Sequence, residues 1–133
     1  MKPLRILSRC DVKGKNLIKG LQFEGVRVIG DPWKHASKYY SSGIDEILYI
    51  DSVASLYERN SLFDLVKNST KNIFVPISIG GGIRNIEDAR KALYAGAEKI
   101  IINTAAIENP LLIKNLSQEF GRQCIVLSIQ AKK

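Results

Sequence analysis

Three consecutive glycines, Gly80–Gly82, directly follow a short apolar run, Val75–Ile79. A chain that turns there leaves its N–H groups uncovered by side chains, and such groups ahead of a helix attract anions. One unit later, Ile100–Ile102 delivers Asn103 and Thr104 to the same end of the sheet that these runs imply. The combination points to phosphate binding, with Gly81, Gly82, Asn103 and Thr104 as the cradle. It is neither a P-loop, since no Gly-Lys-Ser/Thr follows, nor a G-x-G-x-x-G fingerprint. A glycine run alone is equally explained as turn chemistry; its pairing with Asn103-Thr104 favours the anion. Asp11 and Asp51 are carboxylates at strand ends, where barrel chemistry takes place. An Asx turn into Lys13-Gly14 is the plain alternative for Asp11. Lys19 is open between a solvated loop lysine and a phosphate or substrate contact.

These residues need elements to hold them. Leu4–Asp11 alternates as a first strand, with Arg5, Leu7, Arg9 and Asp11 on one face. Lys13–Gly30 has no clear period and is expected to be a long functional or mobile loop. Asp31-Pro32 starts a helix as cap and first-turn proline, running through Trp33, Ala36 and Tyr40 to Gly43. Glu46–Asp51 is a second strand, and Ser61–Asn72 a helix with Leu62, Leu65, Val66 and Ser69 inward. After the third strand and the glycines, Asn85 caps a helix with Ala89, Ala92 and Leu93 inside and Gly96 at its end. Asn109-Pro110 starts a fourth helix, with Ile113, Leu116 and Phe120 inward and Gly121 closing it. Cys124–Ile129 is a fifth strand ending at Gln130. Strands alternating with helices imply right-handed βαβ units and a parallel sheet. A faint repeat, Gly43-Ile-Asp-Glu-Ile-Leu-Tyr-Ile against Gly96-Ala-Glu-Lys-Ile-Ile-Ile-Asn, suits a fold made of repeated units. Arg5, Glu46 and Lys99 each begin a strand and should ring its amino end.

Composition narrows the function classes. The 133 residues are 45% hydrophobic and 25% charged, as in a soluble globular domain. No apolar run reaches membrane-helix length, and the first residues have no signal-peptide core behind them, so a cytoplasmic protein without membrane contact is expected. The net charge of +7 is scattered, and the Lys13–Lys19 run has no interleaved aromatics. It fits attraction to a phosphorylated small molecule better than nucleic acid. Cys10 and Cys124 lack metal spacing and are expected to be reduced, buried and structural. His35 is expected on the surface, and no metal site is expected.

Asp11-Val-Lys, Lys19-Gly, Gly30-Asp-Pro, Asp45-Glu with Asp51, Gly80-Gly-Gly-Ile and Asn103-Thr-Ala-Ala-Ile-Glu-Asn-Pro together resemble the cyclase subunit of imidazole glycerol phosphate synthase, a (βα)8 barrel of histidine biosynthesis. The resemblance runs almost end to end over the N-terminal half of that barrel. It implies half of a TIM barrel, (βα)4 plus a fifth parallel strand, as one domain over residues 1–133. It also implies an ammonia-dependent cyclase (a synthase or lyase) without a cofactor. By that resemblance Asp11 is a general acid/base and Lys19 lies on a mobile active-site loop. Gly82, Asn103 and Thr104 hold one of the substrate's two phosphates. Arg5, Glu46 and Lys99 form a gate for ammonia from a glutaminase partner.

Two departures stand out. Gln130 occupies the position of the family's second catalytic aspartate and cannot exchange a proton near neutral pH. Arg9 replaces a small residue and should pair with Asp11, favouring anion binding over acid catalysis. The expectation is a chain that binds a phosphorylated ligand but is catalytically incomplete. Its open first and fifth strands should drive homo-oligomer formation. The alternatives are a non-catalytic self-associating scaffold, a truncated or engineered fragment, and a paralogue serving sugar amidation in surface-polysaccharide synthesis.

Overall fold

A computed structural model describes residues 3–21, 25–52 and 59–131. In chain order the elements are β1 (Leu7–Lys13), β2 (Asn16–Leu21), β3 (Gly25–Gly30), α1 (Pro32–Ser41), β4 (Glu46–Asp51), α2 (Arg59–Ser69), β5 (Ile77–Gly80), α3 (Ile86–Ala95), β6 (Lys99–Ile102), α4 (Thr104–Glu108), α5 (Leu111–Phe120), a 3-10 turn (Arg122–Cys124) and β7 (Ile125–Leu127). They form one seven-stranded sheet in the order β3-β2-β1-β4-β5-β6-β7. The five strands β1, β4, β5, β6 and β7 are parallel neighbours, the arrangement of a partial (βα)8 barrel.

Parallel register sorts the side chains onto two faces. Cys10, Ile47, Tyr49, Ile77, Ile79, Ile100 and Ile102 face the helices and are buried. Leu62 and Val66 of α2, Ala89 and Ala92 of α3, and Leu112 and Leu116 of α5 complete this core. Each fully buried Ile, Leu or Val among them contributes about 1.5–3 kcal/mol on burial. The Tyr49 hydroxyl shares a 2.8 Å hydrogen bond with Ser69 Oγ inside it. Burial pushes the phenol well above its ordinary value, partly offset by that bond.

Local signals explain the helix ends. Asp31 Oδ1 accepts from the N–H groups of Trp33 and Lys34 at 2.8 and 3.3 Å, with Pro32 at the first position of α1. Asn85 Oδ1 accepts from Asp88 N–H at 2.8 Å, and Gly96 ends α3 in the left-handed region.

Several expectations are corrected. Lys13–Gly30 is not a long loop: its described part is the antiparallel ladder of β2 and β3, so Lys19 lies on a strand, opposite Arg27. The hairpin pairs with β1 at Val12 and Lys13, so β1 is not the end of the sheet. Its backbone is left unpaired on that side only below Val12. The first strand begins at Leu7, leaving Leu4 and Ile6 exposed before it. The last strand is only Ile125–Leu127, with Cys124 in the 3-10 turn and half-buried rather than buried. The turn after β6 contains a short helix, α4, that the sequence pattern did not suggest. In α5, Leu112 joins Leu116 as a buried residue, while Ile113 and Phe120 are packed at the core's margin. The polar turn following Asp51 lies outside the described residues. Among the described residues, no helix is long and apolar enough to cross a membrane.

Candidate functional site

The glycine turn and the Asn103-Thr104 turn meet because their strands are neighbours: Gly80 of β5 pairs with Ile101 of β6. Gly81 and Gly82 take φ values of +85° and +71°, which L side chains rarely adopt. A Cβ on Gly81 would collide with the Asp51 carbonyl oxygen. The turn is therefore pressed against the carboxyl end of β4, which a larger residue could not allow. On the neighbouring strand, Asn103 precedes α4 without capping it through its carboxamide. Among the described residues, the N–H groups of Gly82, Ile83 and Thr104 donate to no backbone carbonyl.

Gly81, Gly82, Asn103 and Thr104 line one cleft of about 690 Å³, together with Asp51, Arg9 and Gln130. That volume suits a small-molecule ligand. The same cleft carries residues that sequence reasoning missed, Arg84, Glu108 and Ser128. Arg84 had a readable signal, since it follows Gly-Gly-Gly-Ile at the start of α3 and its N–H donates to Asp88 Oδ2 at 3.2 Å. Asp51 is buried at the cleft's edge.

Asp11 is not among the residues lining the cleft. It accepts from Arg9 Nε at 3.0 Å, with Arg9 Nη2 also 3.0 Å from the same Oδ1, so the expected ion pair forms. Arg9 lines the cleft, and Asp11 is its ion-pair partner. Lys19 is exposed on β2 and does not line the cleft.

The opposite end of the sheet carries a second polar cluster. Glu46, with a side chain only 3% exposed, accepts from Arg5 Nη2 at 3.0 Å and from Lys99 Nζ at 3.0 and 3.3 Å. Ser78 Oγ donates to it at 2.9 Å. Arg5, Glu46 and Lys99 are thus together at the amino end, with Ser78 added from β5. A lone serine inside Val-Pro-Ile-Ser-Ile was the available clue. A buried carboxylate requires such partners, because its desolvation is otherwise prohibitive.

Cys10 and Cys124 are free thiols. Burial pushes the Cys10 thiol up, a bond to Ser8 works against this, and the Asp11 charge adds to it. A low-pKa nucleophile is the opposite case. Among the described residues, no cluster of three or more His, Cys, Asp or Glu side chains could hold a metal ion.

Parallel strands joined by helices, with a polar cleft at their carboxyl ends, define the fold as a partial (βα)8 barrel. The profile of the family described as "Histidine biosynthesis protein" matches residues 5–133, and the chain belongs to that family. It is 52% identical over 133 residues to the imidazole glycerol phosphate synthase subunit HisF of Legionella pneumophila, covering 100% of this chain and 63% of that protein. It is 44% identical over 129 residues to the HisF subunit of Myxococcus xanthus, covering 97% of this chain and 51% of the relative. For the HisF subunit of Dictyoglomus thermophilum the identity is 46% over 129 residues, with the same coverage. The chain thus spans between half and two thirds of the length of these relatives.

Proposed function

We propose that this chain binds a phosphorylated small molecule in the cleft at the carboxyl end of its sheet, as its part in cyclase chemistry of the imidazole glycerol phosphate synthase type. The observation that carries this reading is the meeting of the glycine turn and Asn103-Thr104 on one cleft. A phosphate there takes N–H donors from Gly82 and Thr104, with the Asn103 amide and the Thr104 hydroxyl beside it. Asp11 is the proton-transfer candidate and Lys19 a substrate contact from the hairpin. Gln130 supplies hydrogen bonds where proton exchange would need a carboxylate, so this chain on its own is a binder with little or no turnover.

Arg5, Glu46 and Lys99 act in this reading as the gate through which ammonia from a glutaminase subunit reaches the sheet. That the HisF relatives are one subunit of a synthase supports such a partner. The protein works in the cytoplasm and needs no cofactor. A second reading, amidation of a phosphorylated sugar for surface polysaccharides, is favoured by one observation. The cleft offers Gln130, and Arg9 paired to Asp11 outside the lining, where an acid and a base would be needed. Self-association through the open flank at β7, where Leu127 is 50% exposed, accompanies either reading.

Titration with inorganic phosphate, followed by calorimetry, tests the central reading. Wild type should bind and Gly82→Asp, with a carboxylate in the cradle, should not. Equal heats from the two proteins, or none from wild type, would refute it. Ammonia-dependent cyclase assays address the rest: clear turnover by this chain would disprove the assigned role of Gln130.

A further inference from the structure

We propose that Asp88 is a positioning residue of the anion cradle. From outside the cleft its carboxylate ties down the end of the glycine turn and so keeps the N–H groups of Gly82 and Ile83 aimed at the ligand. This rests on the phosphate reading above and adds to it a residue that does not touch the phosphate.

The turn lies between two spaces of very different size. Gly81, Gly82, Ile83 and Arg84 line the large cleft. Gly81, Gly82 and Ile83 also line a small cavity, which Asp88 closes together with Leu62 and Phe63 of α2. That cavity has a volume of about 10 Å³, room for one water at most, so no phosphate enters it. Asp88 does not line the large cleft and is only 7% exposed. It reaches a bound anion through the turn and through its charge.

Its hydrogen bonding departs from ordinary helix capping. Asn85 caps α3 by accepting from the Asp88 N–H at 2.8 Å, and Asp88 is the third residue of that helix. In a reciprocal capping box, the side chain at this place returns to the N–H of the cap residue itself. Asp88 Oδ2 accepts instead from the Arg84 N–H at 3.2 Å, one residue earlier. The bond therefore anchors the glycine turn rather than the helix start. A buried carboxylate is costly; the helix start beside it and a further partner within the chain offset that cost.

The anchor matters because the segment before it is free to move. Three consecutive glycines allow many backbone conformations. At the upstream end, Gly81 is pressed against the Asp51 carbonyl. At the downstream end, the Arg84 N–H is held by Asp88. Between these two points the N–H groups of Gly82 and Ile83 donate to no backbone carbonyl. Fixing both ends removes much of the ordering that a ligand would otherwise have to impose. The same carboxylate also repels an anion on the other side of the turn. Its acceptor and its charge thus act in opposite directions, and substitution separates them.

Inorganic phosphate titrations by calorimetry at constant ionic strength compare wild type with Asp88→Asn, Asp88→Ala and Asn85→Ala, each shown by circular dichroism to be folded. Asp88→Asn and Asp88→Ala lose the same charge, but only the carboxamide still offers Arg84 an oxygen. Asp88→Asn should bind phosphate within about twofold of wild type or tighter, because a nearby like charge is gone. Asp88→Ala should bind about tenfold or more weakly, the effect of one lost hydrogen bond to a charged group. Asn85→Ala removes the cap of the same helix and should lower the melting temperature while leaving phosphate affinity within about twofold of wild type. Where Asp88→Ala fails to fold, Asp88→Ser, whose hydroxyl ends one bond short of the carboxylate oxygens, replaces it with the same expectation. Wild-type affinity in the truncated protein, a loss in Asp88→Asn equal to that in the truncated protein, or an equal loss in Asn85→Ala overturns this inference alone. Absence of phosphate binding to folded wild type overturns it together with the cradle.

Discussion

Replacing Glu46 by glutamine should destabilise the chain more than any conservative change at an exposed carboxylate. The carboxamide keeps the volume, so no cavity term enters, but it removes the charge that two cations share. Removing one partner from a buried pair costs about 3–5 kcal/mol when the remaining charge stays buried. Here the survivors are Arg5 and Lys99, with side chains 53% and 30% exposed. Both can turn toward water, which lowers the expected loss to about 2–3 kcal/mol. The Ser78 hydroxyl, held at 2.9 Å, keeps an acceptor in the glutamine oxygen. Lys99→Met is the milder change, since Glu46 retains Arg5 and Ser78, and should cost about 1–2 kcal/mol. In the double variant the losses should fall short of additivity by about 1–2 kcal/mol, the coupling of groups in one network. Urea unfolding followed by circular dichroism reads these values: with a slope of about 1–3 kcal/mol per molar, the Glu46→Gln midpoint should fall by roughly 1–2 M. A loss below about 0.5 kcal/mol for Glu46→Gln, the range of ordinary surface changes, or strict additivity with Lys99→Met, would refute the reasoning.

Three further outcomes follow from the same structure. Tyr49→Phe strands the buried Ser69 hydroxyl and should cost about 1–2 kcal/mol, part of which Ser69→Ala restores; thermal melts of the cycle check this. Cys10 has its thiol pushed up by burial, so the folded chain keeps a proton that the unfolded chain releases. Stability from this group is intact below the ordinary thiol range and should decline as pH rises beyond about 8.5. Melting temperature against pH, compared with Cys10→Ala, measures it, and an unchanged slope in the variant would disprove the assignment. Sedimentation at micromolar concentration should find a species larger than a monomer, with Leu127→Lys shifting it toward monomer; a well-behaved wild-type monomer would exclude self-association at β7.

Elements with strong local signals were readable from the sequence. Glu46–Asp51 matches β4 end to end, and the Asp31-Pro32 and Asn85 caps form with their hydrogen bonds. Such signals depend on neighbours in sequence, and so did the glycine turn and Asn103-Thr104. The hairpin was not legible. Asn16–Leu21 mixes apolar, basic and glycine residues without alternation, and its ladder is stabilised by pairing with β3 and with the end of β1. Nor was Ser78 assigned with Glu46, because 32 residues separate them and only the parallel register brings them together. Arg84 and Glu108 reach the cleft from helix starts and ends whose directions depend on tertiary packing. Arg9 was foreseen as the partner of Asp11; that it, rather than Asp11, reaches the cleft required the folded chain.

The β2–β3 hairpin also bears on how far assembly can proceed. It lies across the carboxyl end of β1 and puts Lys19 directly opposite Arg27, a like-charge pair that discourages a further strand from joining. Stacking of sheet upon sheet needs two receptive flanks, and on this chain one is guarded by repulsion. When copies meet flank to flank at β7, the union uses up the receptive side of each. Under the proposed self-association, assembly would end in a closed pair instead of a growing fibril.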